Sequence, residues 1–287
     1  MSAIAAPLRT QNLIGSLLAA SPPIRTLTRT DTVQFTPELC GPGGTARTCG
    51  NVEGVGDTKD LTDLSDVVSF DPYWIHQGTS CNRASGAATF IDTQDRSVRA
   101  LAVNESYLIE EALWTGEVDG NATNHPLADT DAFQPNGRTA VGLTTGLWDI
   151  VEYFNDTIGG AVGMIHVEQR VVPFLDFYGL LERDGRILQL RNTNHVVVGG
   201  TGYPGTDPDG VAPAAGESWI YGTTPVDVMT GSEIFRLPTD ESEALNRETN
   251  EIQVRAERLA VAYWDQCAHV GTAVCLEDPG PACEAGS

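Results

Sequence analysis

The stretch 250–276, NEIQVRAERLAVAYWDQCAHVGTAVCL, most constrains what this chain can fold into. Ile252, Val254 and Ala256 alternate with Glu251, Gln253, Arg255 and Glu257, the period of two expected of a half-buried strand. After Glu257-Arg258 the large apolar positions become Leu259, Val261 and Tyr263, a slip of phase by one residue. Keeping the apolar set inward across that slip predicts a bulge or bend. A break at Asp265-Gln266 precedes a second apolar strand. A bent strand about 40 Å long exceeds the needs of a compact domain and predicts an elongated protein.

The remaining elements follow from periodicity. Residues 94–114 read as a long helix, with Val98, Leu101, Ala102, Leu108, Ile109, Ala112 and Leu113 at helical spacing, Asp92 as N-cap and Gly116 just past the end. A second helix is predicted over 147–158, capped by Thr145 and stopped by Gly159-Gly160, and a third over 172–182. Strands are predicted over 163–167, 186–190, 195–198, 218–221, 226–229 and 233–237. The glycines from Gly199 to Gly205 open a long surface loop. Residues 1–30, with three prolines, read as an extended arm. Residues 31–80 enclose a long stretch of Gly, Thr and Asp that cannot bury enough apolar surface alone to offset about 1–2 kcal/mol of ordering cost per residue. Such a segment gains order by lying across another copy of the protein. The plan is α+β with extended appendages.

Charge narrows the partners. Net charge is −22 across 287 residues. Arg9, Arg25 and Arg29 face no acid within the first thirty residues, which therefore carry +3 and leave −25 for the rest. Affinity for a nucleic-acid backbone needs Lys and Arg, so the body repels DNA and only the arm attracts it. No apolar run approaches the length of a membrane-spanning helix. The N-terminal segment around Leu13 to Ala20 is too short and interrupted for a signal peptide. Cys40, Cys49, Cys81, Cys267, Cys275 and Cys283 form no close CxxC pair. A Cys40–Cys49 disulfide would close a turn-rich loop, while Cys267 and Cys275 read as buried thiols.

The search for chemistry finds little. His166-Val167-Glu168 places a His and a Glu on one face of a strand, a geometry used in metal sites and acid–base pairs, but no third ligand is near. The loop from Gly199 lacks the Lys-Ser/Thr ending of a phosphate loop and precedes no helix. Asp207 and Asp209 lack a calcium-loop pattern, and no GxSxG elbow exists. No cofactor or metal is implied, and the expectation is a non-enzyme.

The order of elements resembles the major capsid protein of tailed double-stranded DNA phages, the Hong Kong 97-type fold shared with encapsulins. The ending IQVRAERLAVAYWDQCAHVGTAVCL looks like that family's closing strands, and NESYLIEEALWTG, Asn104 to Gly116, looks like the spine helix of actinobacterial-phage members. The resemblance implies an N-arm at 1–30, an extended loop at 31–80, and a peripheral domain with spine helix at 81–124. An axial domain at 125–240, returning peripheral strands at 241–276 and an acidic tail at 277–287 complete it. It implies assembly with itself as hexamers and pentamers around packaged DNA, in the virion head, after assembly in the host cytoplasm. A separate scaffold protein, a portal and a decoration protein are the implied partners, with no membrane. Arg9, Arg25 and Arg29 are the subunit-contact candidates. Some members cross-link subunits from a lysine to an asparagine; Lys59 is the only lysine here, and no cross-link is expected. Other readings of the same features are an encapsulin-like or minor shell protein, a secreted disulfide-containing β-rich binding protein, and a hydrolase built on His166 and Glu168.

Overall fold

The computed structural model describes residues 14–21, 25–27, 32–35, 68–82, 89–118, 120–122 and 124–276. In chain order these form α1 (Leu17–Ala20), β1 (Arg25–Leu27), β2 (Val33–Phe35), β3 (Val68–Phe70), β4 (Tyr73–Asn82) and α2 (Phe90–Thr115). There follow β5 (Glu117–Val118), β6 (Asn121–Ala122), β7 (Val141–Gly142), α3 (Leu143–Ile158), β8 (Met164–Glu168) and α4 (Val172–Phe177). Then come β9 (Leu181–Asp184), β10 (Ile187–Leu190), β11 (Val196–Gly200), β12 (Glu217–Thr223) and β13 (Val226–Gly231). The chain closes with β14 (Phe235–Leu237), α5 (Glu241–Ala244), β15 (Leu245–Asn246), β16 (Glu251–Trp264) and β17 (His269–Cys275).

Two sheets organise these elements. In the first, β16 is central: β4 runs along one side from Glu251↔Asn82 to Ala260↔Tyr73, while β13, β14 and β15 pair in turn along the other. The second has the order β7-β17-β12-β8-β11-β10-β9. Besides the passage from β4 to β7 by way of α2, the chain crosses between them at 224–225 and at 265–268, and Thr224 Oγ1 donates to the Asp265 carbonyl at 2.5 Å, tying these two crossings together.

α2 covers the first sheet. Thr89 caps it: its hydroxyl accepts from the Asp92 N–H, and the Asp92 carboxylate accepts from the Thr89 N–H. The helix therefore starts earlier than its apolar spacing predicts, and Asp92 is the third residue of a capping box instead of the cap. Gly116 ends the helix at φ 67°, as expected. Leu101, Ile109, Ala112 and Leu113 are buried while Ala102 is exposed. α3 covers the second sheet through Leu147, Ile150, Val151 and Phe154. Gly146 lets it come close, since a Cβ there would lie 2.5 Å from Val274. α3 begins at Leu143 on Gly142 without a side-chain cap, so Thr145 lies inside it. The third helix stops at Phe177, and Leu181–Asp184 turns into the edge strand β9.

Two expectations for the closing stretch are corrected. The register of β16 on β4 runs unbroken through Glu257↔His76 and Arg258↔Ile75, with no bulge. Ile252, Val254, Ala256, Arg258, Ala260, Ala262 and Trp264 stay on one face throughout. Arg258 looked polar in the sequence because its charge is neutralised in place: it reaches Glu105 of α2 at 2.8 Å and the Gly231 carbonyl at 2.7 Å. From Leu259 onward the other face is buried too, with Tyr263 packed on Phe35 and Phe70 at 5.9 and 6.5 Å. A change from one buried face to two reads, in sequence, as a slip. Secondly, β16 and β17, grouped together as returning strands at 241–276, do not share a sheet. β17 lies between β12 and β7 in the second sheet, while β13, β14, β15 and β16 belong to the first, so the change of sheet falls at 265–268, inside the 241–276 segment.

Candidate functional site

The buried polar residues converge where α2, the second sheet and the N-terminal segment meet. Glu110 on α2 is 0% exposed, and among the described residues no cation is seen to neutralise it. Its Oε1 accepts from the Leu17 N–H at 3.0 Å and the Ser106 hydroxyl at 2.9 Å, and its Oε2 from the Gly202 N–H at 3.1 Å and the Thr201 hydroxyl at 3.3 Å. Burial raises the carboxyl pKa, and these four donors oppose that rise. The sequence supports this locally. A Cβ on Gly202 would lie 2.1 Å from the Tyr107 carbonyl, so only glycine lets the loop backbone reach the helix. The expectation of a loose glycine loop is thus corrected: Gly202 and Tyr203 are buried against α2.

Tyr203 continues the network. Its ring packs 5.0 Å from Trp114, and its hydroxyl meets His166 Nδ1 at 2.9 Å. On the far side, His166 Nε2 lies 2.9 Å from Thr223 Oγ1, which donates to the Thr224 carbonyl at 2.7 Å. Because Thr223 spends its proton on a carbonyl, it accepts from Nε2–H, and Nδ1 accepts from the Tyr203 hydroxyl. The imidazole is neutral. Burial, with His269 as a lesser cause, lowers its pKa to about 3. Burial also lowers His195, whose Nδ1 accepts from the Gly163 N–H at 2.9 Å, and His269, whose Nε2 donates to the Leu127 carbonyl.

This geometry does not support an acid–base pair. His166 is 0% exposed and each of its ring nitrogens is engaged, while Glu168 turns to Arg170 at 2.5 Å. The described residues contain no cluster of three or more His, Cys, Asp or Glu able to hold a metal. None of their helices is long and apolar enough to cross a membrane. The open concavity lies elsewhere, a groove of about 860 Å³ lined by His76, Gly78, Ser80, Leu237, Pro238 and Arg255. Along the same strands Trp74 and Phe235 form an exposed edge-to-face pair at 5.5 Å.

Of the sequence-chosen residues, Arg25 is described: it lies on β1, which pairs in parallel with β13, and its guanidinium reaches the Tyr263 hydroxyl at 3.5 Å and Asp227 at 3.7 Å. Arg9, Arg29, Cys40, Cys49 and Lys59 lie outside the described residues. Cys81 is a free thiol, whereas Cys267 and Cys275 are disulfide-bonded and not the plain thiols expected.

No protein-family model and no curated protein matches the chain. Solved structures match along nearly its whole length. A chain of Microbacterium phage Oxtober96 has a TM-score of 0.51 at 13% identity, covering 96% of this chain and 95% of its own. One of Mycobacterium phage Ogopogo has 0.51 at 11%, covering 96% and 97%. One from the capsid of an empty GTA particle has 0.50 at 11%, covering 97% and 94%. The fold is the α+β fold of phage capsid proteins. In this capsid fold Glu110 sits where the long helix meets both the second sheet and the N-terminal segment, a junction that sequence reasoning missed. Its signal was present: Glu110 has Ser106 four residues before it and Leu113 and Trp114 three and four after, so it falls inside the buried stripe.

Proposed function

We propose that this chain is the major capsid protein of a tailed double-stranded DNA phage, of the Hong Kong 97 type. The observation that carries the reading is the fold match to a particle capsid across 97% of this chain and 94% of that one. Copies assemble as hexamers and pentamers into an icosahedral head shell, with a separate scaffold protein, a portal and a decoration protein as partners. An actinobacterial host is part of the proposal and rests on the resemblance of Asn104 to Gly116 to spine helices of such phages. In this reading 1–30 is the arm, 31–80 the extended loop and α2 the spine helix. The arm's arginines, Arg9, Arg25 and Arg29, touch neighbours. Without a lysine-based cross-link at Lys59, many weak contacts hold the shell. The acidic body keeps packaged DNA from adhering to the wall. The chain acts as a structural component and not as an enzyme, and the sealed, neutral His166 agrees with that role.

Negative-stain microscopy and sedimentation of the purified protein, alone and with its scaffold, test the reading. Rings or shells tens of nanometres across are expected. A stable 30.6 kDa monomer at high concentration under both conditions overturns it.

A further inference from the structure

The Glu110 site joins three segments that are far apart in the chain: Leu17 of the N-terminal segment, the C-terminal part of α2, and the loop at 201–202. The N-terminal segment has further ties of its own. Gly15 donates to the Arg186 carbonyl and accepts from the Gly199 N–H, both at 2.8 Å, and Leu17 is 0% exposed in the core. The Glu110 carboxylate adds a charge-assisted tie, and it also holds the loop carrying Gly199 to Gly202 in place. The arm seat and the loop seat therefore share one side chain, with one oxygen facing each.

We propose that Glu110 is a latch that seats residues 14–21 against the body, so that removing its acceptor oxygens releases this segment while both sheets stay folded. No pair of sheet strands depends on Glu110, and β1 is held separately by β13. The latch is a property of the single chain. It bears on shell building only through the proposed function, where a released segment becomes available to a neighbour.

Hydrogen–deuterium exchange followed by mass spectrometry separates the two. Glu110→Leu removes both acceptor oxygens, so the Leu17 and the Gly202 N–H groups both lose their partner. Exchange of peptides covering 14–21 is expected to quicken about tenfold or more, the effect of one lost buried hydrogen bond, with peptides of β16 and β17 unchanged. Glu110→Asp, which withdraws the oxygens by about 1.5 Å while keeping the charge, gives the same readout if the Leu variant does not fold. Thr201→Val leaves the Leu17 bond intact and is expected to leave 14–21 protected. Unchanged exchange at 14–21 in both Glu110 variants, or equal quickening across β16 and β17, overturns the latch. Neither outcome touches the shell reading, which microscopy decides.

Discussion

Mild acid should expose the cost of keeping His166 neutral. The imidazole titrates near its ordinary value of 6.5 in the unfolded chain and at about 3 in the folded one. A base with a lowered folded pKa takes up its proton first in the unfolded state, so its contribution is intact above pH 6.5 and is lost as pH falls toward 3. The loss runs at about 1.4 kcal/mol per pH unit, so two units below 6.5, at pH 4.5, it reaches about 3 kcal/mol. Other groups move with pH as well. Glu110, with its raised pKa, gains relative stability on acidification, whereas His195 and His269 act in the same direction as His166. A His166→Gln variant cancels these common terms. Its amide can donate to Thr223 and accept from Tyr203 as the imidazole does, yet it does not titrate. Urea unfolding of both proteins at pH 7.5 and 4.5 is the assay. Wild type is expected to lose about 3 kcal/mol more than the variant between the two pH values. Parallel losses would refute the reasoning, since they would mean that the folded state admits the proton without penalty.

Two further outcomes are expected. Gly202→Ala drives a Cβ against the backbone of α2 and should cost about 3 kcal/mol or more in urea unfolding, whereas Gly78→Ala, whose new Cβ meets nothing closer than 4.0 Å, should be near neutral; equal midpoints would remove the close-approach argument. Non-reducing peptide mapping should recover Cys267 and Cys275 in disulfides and Cys81 as a free thiol. β17 extends about 20 Å from His269 to Cys275 and Cys267 precedes it, so a bond between Cys267 and Cys275 across the roughly 7 Å reach of a disulfide is not expected.

What could be read from the sequence was the existence and type of the long elements, because burial of one face imposes a period that survives in the residue pattern. α2 was legible from its apolar spacing and its terminal glycine, and β16 from its alternation. Partners and boundaries were less so. Alternation says that a strand has a buried face but not which sheet supplies the cover, so β17 could not be separated from β16 by pattern alone. The start of α2 was misplaced because the Thr89–Asp92 capping box comes before the first residue of the apolar stripe.

The site was harder for a related reason. A hydropathy pattern scores Glu110 and Arg258 as solvent-facing, yet both lie on buried faces, one through four hydrogen-bond donors and the other through Glu105. Burial of a charge is decided by its partners, and those partners come from distant segments that no local window contains. The slip imagined at Glu257-Arg258 was such a case. Once the carboxylate of Glu105 is placed opposite, Arg258 belongs to the inward set and the strand needs no bulge. The same logic applies to the glycines from Gly199 onward. Their abundance suggested slackness, but at Gly202 the missing side chain is what brings a backbone N–H within reach of Glu110, so the composition that reads as a loose loop serves tight packing.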